Sequence, residues 1–445
     1  MGEITMKNCA ICGNNIPFEL PDELFDAAIE NRLVLFCGAG TSTEKKQVLP
    51  YSFYSMIKEE LNEKKDISFP ELMEKYVSQP NGRKKLLRKI KERFDYIEAF
   101  PEISRQATSF HRELAEIHQI KTIITTNWDT YFEEYCDAMP ITIPEDFAFF
   151  TDDSRHVLKI HGSINNLSSI IATTSDYQKC LASLKNGVLG ATLKNILATK
   201  TVVFIGFSFG DYDFEQIMSY LQNEMGDIFP HIYIVTLDEN LEKRLSYKNS
   251  TTIITSGEFF LQTLKEKLKQ KNLIANCDIE PIISIALERT NKIHQNTSRI
   301  DLQKFPSAIF ALAYQDGLIH AFERFLKMHK SGIYSNPNYI INSIRGYEQI
   351  IQKCKTGDNY WDESYYEGYL NGLAFIGACD EEDFSAVEKF PFAFLPGLKK
   401  DLLSVKEFHK ELRRITIRKN KYHKFAEKII KERYSPDLVL HHPPY

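Results

Sequence analysis

Short apolar runs recur through the first part of the chain, at Leu33–Phe36, Thr122–Ile124, Val157–Ile160, Val202–Ile205, Ile232–Val235 and Thr252–Ile254. Each is too short for a helix and is bounded by polar or glycine-bearing segments, which is how buried strands read. Between them apolar residues return at helical spacing. Pro21–Glu30 predicts a helix leading into the first strand. Tyr54–Phe100 is rich in helix, with Leu86, Leu87, Ile90 and Phe94 on one face, and a lysine-rich helix is expected at Leu261–Lys271. Strands and helices that alternate in this way build a largely parallel sheet with helices on both faces.

Near Cys277 the pattern changes. Strand-like runs nearly vanish, while Ala308, Ile309, Ala311, Leu312, Leu318, Ala321 and Phe322, then Tyr365, Tyr366, Tyr369, Leu370, Leu373 and Ala374, fall at helical spacing. One long helix is expected over Leu402–Arg433, and the tyrosines of 360–369 suit either core or an interface. A chain of 445 residues exceeds one ordinary core. The expected division is a segment 1–21, an α/β domain 22–275 and an all-helical domain 276–445.

Composition and charge act mainly by exclusion. The formal charge of -5 gives no global attraction to nucleic acid. The basic stretch from Arg83 to Lys91, and the basic residues Lys410, Arg413, Arg414, Arg418, Lys419, Lys421, Lys424 and Lys428, read as solvated faces, so direct nucleic-acid binding would need a local patch. No apolar run approaches the ~20 residues that span a bilayer, and Met1-Gly2-Glu3 does not open a signal peptide, so the expected setting is cytoplasmic. Eight scattered cysteines do not form a disulfide framework. Cys9-Ala10-Ile11-Cys12-Gly13 resembles half of a zinc knuckle, but a closed structural site takes four ligands and no second Cys-x-x-Cys exists. Any zinc at Cys9 and Cys12 would need non-local partners.

Candidate chemistry sits where strands end, the position at which parallel sheets bind ligands. The segments are Gly38-Ala39-Gly40-Thr41-Ser42, Thr125-Thr126-Asn127-Trp128-Asp129, His161-Gly162 and Gly206-Phe207-Ser208-Phe209-Gly210-Asp211. Gly38 and Gly40 permit unusual backbone conformations and close approach to a phosphate, to which the following amides and the Thr41 and Ser42 hydroxyls can donate. The loop departs from the general dinucleotide fingerprint, because Thr43 holds the third glycine position. Asn127 and Asp129 either cap a helix or line a pocket. His161 reads as a structural histidine or as a base, with Gly162 leaving room beside the imidazole.

In this order the four segments resemble the NAD-binding core of the sirtuin family, which begins with Gly-Ala-Gly-x-Ser after its first strand. The resemblance covers about residues 22–265. It implies a Rossmann-like doubly wound parallel sheet with a helical insertion, followed here by the all-helical domain. It also implies roles: Gly38, Ala39, Gly40, Thr41 and Ser42 hold the NAD diphosphate, Asn127 orients the nicotinamide ribose or a water, and Asp129 hydrogen-bonds the carboxamide. His161 would be the catalytic base toward a ribose hydroxyl. Gly206, Ser208 and Asp211 would contact the adenosine side, and Thr236 the adenine ribose.

Two departures narrow the resemblance. Val48-Leu49-Pro50-Tyr51-Ser52-Phe53 stands where many protein-deacylating sirtuins carry Gly-Ile-Pro-Asp-Phe-Arg, and the stretch from His161 to Gly206 holds only Cys180 in place of a four-cysteine zinc ribbon. The chain therefore looks like the ribbon-less, sirtuin-like group of bacterial antiviral defence proteins that hydrolyse NAD. That implies an NAD+ glycohydrolase releasing nicotinamide and ADP-ribose without a catalytic metal, acting in antiphage defence by NAD depletion. Expected partners are copies of itself, a HerA-type ATPase or an Argonaute-like protein. The alternatives are an NAD-dependent protein deacylase and a non-catalytic nucleotide sensor.

Overall fold

The computed structural model describes residues 8–45, 47–151, 154–207, 212–241, 249–275, 279–379, 384–435 and 439–443. It divides into two compact units, Met1–Lys271 with Lys330–Gly332, and Asn272–His329 with Ile333–Tyr445.

The first unit is built on a seven-stranded sheet: β1 Leu33–Cys37, β2 Thr122–Thr125, β3 Met139–Ile141, β4 His156–Lys159, β5 Thr201–Ile205, β6 Ile232–Thr236 and β7 Ser250–Ile254. Its order is β3-β4-β2-β1-β5-β6-β7, with every neighbouring pair parallel. The parallel sheet expected from the apolar runs, and the Rossmann-like doubly wound α/β architecture that the resemblance implies, are what this unit forms. β1 and β5 are buried along their whole length, which explains their unbroken apolar sequences. From β1 the chain crosses to β2 on one side and later returns to β5 on the other. The carboxyl end of β1 is therefore the switch point, where a crevice opens in such sheets.

β3 has no counterpart among the apolar runs. It is an edge strand in which Met139 and Pro140 are exposed and only Ile141 is buried, and an edge is where a proline is tolerated. Between β1 and β2 stand the helices Phe53–Glu60, Phe69–Val77, Gly82–Ala99 and Pro101–Ala115. Leu86, Ile90 and Phe94 join Phe53, Ile57, Leu72, Met73 and Tyr76 in one core, while Lys84, Lys85 and Arg88 are exposed. The basic stretch is thus largely a solvated face.

Among the described residues the second unit has helices and no strand. Its centre is the pair Ala308–Met328 and Tyr360–Ala378. A Cβ on Gly317 would lie 2.1 Å from Tyr365 O, and one on Gly368 1.9 Å from Tyr314 O, so the two backbones meet where neither helix carries a side chain. Tyr360, Tyr365 and Tyr369 are buried and belong to this core. The single helix expected over Leu402–Arg433 is instead two, Val405–Arg418 and Lys421–Arg433. Lys419 takes a left-handed φ of 43° and the Asn420 side chain caps the second helix by accepting from His423 N.

Candidate active site

The turns after β1 and β5 are locked together. Gly38 N donates to Ile205 O and Gly40 N to Gly206 O, both at 2.9 Å. Gly206 has φ +80°, and a Cβ there would lie 2.7 Å from Thr41 N. A Cβ on Gly38 or Gly40 would in turn come within 2.8 or 2.7 Å of Gly206 O. The reason for glycine at 38 and 40 is thus close approach to another loop, with no positive φ at either position. The 3-10 turn Ala39–Thr41 follows. Within it the amides of Thr41 and Ser42 bond to Gly38 O and Ala39 O.

The hydroxyls that the sequence offers to a phosphate point inward in this conformation. Thr41 Oγ1 donates to Gly38 O at 2.9 Å, and Ser42 Oγ donates to Asp129 Oδ2 at 2.8 Å. Asn127 Nδ2 reaches Gly38 O at 3.1 Å, Ser42 Oγ at 3.2 Å and Thr41 Oγ1 at 3.4 Å. These bonds fix the amide's orientation, since a flipped amide would turn its oxygen toward Gly38 O. The result is that Asn127 Oδ1 is buried with no hydrogen-bond partner. Such an orphan acceptor carries a penalty of ~1–3 kcal/mol unless a donor from water or substrate meets it.

Asp129 is 2% exposed, and Oδ1 accepts from Tyr131 N at 3.3 Å. Burial raises its carboxyl above the ordinary range, while Lys159 and the Ser42 hydrogen bond oppose the shift. Lys159, at the end of β4, has a fully buried side chain that donates to Asp129 O and to Glu133 Oε1, the latter at 3.0 Å. Burial also raises the Glu133 carboxyl against the charge of Lys159. Lys159 lies outside the strand-end motifs visible in the sequence. A lysine inside an otherwise apolar strand was the available signal, since a buried ammonium needs acceptors.

Ile160 N donates to Thr125 O at 2.9 Å, so the β2–β4 ladder runs to the strand ends and brings Asn127 and His161 out level on adjacent strands. The His161 ring is buried edge-on against Tyr177, with centroids 4.9 Å apart. Gly162, at φ +80°, does not leave space for a ligand as expected. A Cβ there would lie 2.2 Å from Ser169 O, so the room beside it is filled by the following turn. Trp128 packs against Phe53 and Phe69, tying the strand end to the helical insertion.

Thr236 ends β6 and its Oγ1 accepts from Asp238 N at 3.1 Å. Ser208 and Asp211 lie outside the described residues. Cys9 and Cys12 adjoin, with Cys12 Sγ 3.1 Å from Ser256 Oγ, and no third histidine, cysteine or carboxylate completes a metal-ligand cluster with them among the described residues.

A glycine turn, an asparagine and a histidine thus stand at neighbouring strand ends of a doubly wound parallel sheet, the place where such sheets bind ligands. Residues 121–254 match the model of the SIR2-like domain. Among curated relatives, the NAD(+) hydrolase ThsA of Cytobacillus dafuensis is 26% identical over 284 residues, covering 61% of this chain and 54% of its own. The NAD(+) hydrolase ThsA of Enterococcus faecium is 30% identical over 210 residues, 44% of this chain and 41% of its own. Defense-associated sirtuin 2 of Bacillus subtilis is 24% identical over 283 residues, 58% of this chain and 27% of its own. The chain thus spans about half or less of the length of these relatives. No helix among the described residues is long and apolar enough to cross a membrane.

Proposed function

We propose that this protein hydrolyses the nicotinamide N-glycosidic bond of NAD+ as an effector of antiphage defence. The observation that carries the reading is the buried, unpartnered Oδ1 of Asn127, held beside the glycine turn and level with His161. Two of the curated relatives are named as NAD(+) hydrolases and the third as defence-associated, which supports the substrate and the setting.

The bond breaks through an oxocarbenium-like state, and its leaving group is already cationic, so departure of neutral nicotinamide needs no proton donor. The protein's task is positioning. Asn127 Oδ1 accepts a hydrogen bond from the ribose or from the attacking water, and His161 acts as base toward a ribose hydroxyl. Water adds to the anomeric carbon and loses a proton, giving ADP-ribose, nicotinamide and H+. The Gly38–Ser42 turn receives the diphosphate, Asp129 and Lys159 hold that turn in place, and the Gly206 and Thr236 strand ends face the adenosine half. No metal enters the bond-breaking step. The helical unit is the proposed place for self-assembly or for a HerA-type or Argonaute-like partner. It presents Lys406, Lys410, Arg413, Arg414 and Arg418 with Ile417 82% exposed on one helix.

The test is nicotinamide release from NAD+ by the full chain, alone and with candidate partners. His161→Ala and Asn127→Ala, if folded, should lose ~100-fold or more, the scale of an acid/base or orienting group. Wild-type turnover in either folded variant would remove the assignment.

A further inference from the structure

In the helical unit, well away in sequence from the NAD site residues, three side chains converge that the proposed activity does not use. His294 comes from the helix Glu280–Thr297, Asp316 from Ala308–Met328, and His441 from the described tail segment 439–443. Asp316 Oδ1 lies 3.1 Å from His294 Nε2 and 2.9 Å from His441 Nδ1. One ligand atom from each of the three lies within 4.8 Å of the others. Asp316 and His294 are buried, and Asp316 Oδ2 accepts from His442 N at 2.8 Å. His294 Nε2 is buried without a hydrogen-bond partner, because its approach to Asp316 lacks hydrogen-bond geometry.

We propose that His294, Asp316 and His441 form a binding site for a divalent transition cation of the Zn2+ type, which clamps the tail onto the two helices. Helix Ala308–Met328 is buried on every side around Asp316, between Tyr314, Gln315, Gly317 and Leu318, and a carboxylate placed there needs donors or a positive charge beside it. Two imidazoles and one carboxylate suit Zn2+ and its transition-metal neighbours, whereas Mg2+ and Ca2+ take oxygen ligands. Metal–ligand bonds of ~2.0–2.1 Å in a tetrahedron put ligand atoms about 3.3 Å apart, within a few tenths of an ångström of the two spacings here. Three protein ligands leave a fourth position for water.

One adjustment follows from the geometry. The His294 and His441 rings are nearly parallel, 6° between planes with centroids 4.9 Å apart, whereas a shared metal must lie in the plane of each ring. His441 is more than half exposed, so its ring can turn about Cβ at the cost of its stacking on His294, while Asp316 keeps the tail through His442 N.

The experiment uses the full chain in a Cys9→Ser, Cys12→Ser background, stripped with chelator and titrated with Zn2+ and with Co2+. The expected result is one equivalent of metal per chain, with cobalt d–d bands and no thiolate charge-transfer band. His441→Ala and Asp316→Asn should each weaken binding by at least about tenfold. Zn2+ should raise the melting temperature of the parent but not of His441→Ala. Absence of stoichiometric uptake, or uptake unchanged in folded His441→Ala, would overturn the proposal and leave the cluster a proton-bridged ion pair. Neither readout depends on NAD cleavage.

Discussion

Gly206 and Gly226 separate backbone strain from steric contact. Both have positive φ, +80° and +53°, but a Cβ on Gly226 would meet nothing within 4 Å, while one on Gly206 would meet Thr41 Cγ2 and Thr41 N at 2.7 Å and Gly38 O at 3.0 Å. Gly226→Ala should therefore carry only the left-handed penalty of ~1–2 kcal/mol. Gly206→Ala adds overpacking of ~1–3 kcal/mol, because two of its three near atoms are backbone and cannot step aside. At ~2–4 °C per kcal/mol for a unit of this size, Gly226→Ala should lower the melting temperature by roughly 2–8 °C and Gly206→Ala by on the order of 10 °C. Calorimetry on the full chain reads both. Gly206→Ala should also lose NAD cleavage at temperatures where it remains folded, because relief of the clash displaces the Gly38–Ser42 turn. Equal shifts for the two variants, or unimpaired cleavage by Gly206→Ala, would refute the interlocked-turn account.

Lys159→Met removes the charge opposing the burial of Asp129 and Glu133, so both carboxyls should rise further. The acid limb of kcat/KM should move to higher pH and stability should fall by ~3–5 kcal/mol, as when a buried pair loses one partner. An unmoved limb would argue against Asp129 acting as an anion. Because the folded carboxyl of Asp129 lies above its ordinary 3.8, the folded state holds that proton more tightly, and stability falls as pH rises through the window above 3.8. Asp129→Asn should accordingly flatten this slope in denaturant titrations across that window. Glu258 has the opposite sign: burial pushes it up, but Lys45 at 2.5 Å and Ser109 outweigh burial and hold it below 4.5. Its contribution is present above the unfolded value and is lost as pH falls through the folded one, so Glu258→Gln should be less acid-sensitive in thermal melts. Chelation should leave nicotinamide release intact, and abolition reversed by added metal would show an essential ion.

The fold was legible where burial is two-sided. β1, β5 and β6 lie inside the sheet and have no polar face to interrupt the apolar run, so they are plain in the sequence. β3 left no such trace, because an edge strand three residues long with one buried side chain offers neither alternation nor a run. The break at Lys419 was hidden for a different reason. Neither glycine nor proline marks it, and only Asn420, a capping residue followed by a helical stretch, could have announced a second helix. The cluster around Asp316 was also invisible, since it joins positions 294, 316 and 441, whose proximity is set by tertiary packing.

At the candidate site, residue types were legible and directions were not. Glycines, hydroxyls, an amide and an imidazole mark positions that the fold gathers at adjacent strand ends, yet nothing in the sequence says that Thr41 donates to Gly38 O and Ser42 to Asp129. That inward set has a consequence for chemistry. Asn127 is the member that faces both ways, with Nδ2 committed to the turn through Gly38 O and Ser42 Oγ and Oδ1 uncommitted. Occupying Oδ1 with a ribose or water donor satisfies the orphan acceptor without breaking a bond that shapes the turn. In the proposed reaction, substrate would meet an acceptor already aimed and desolvated, so no group would have to reorganise at that point as charge develops on the sugar.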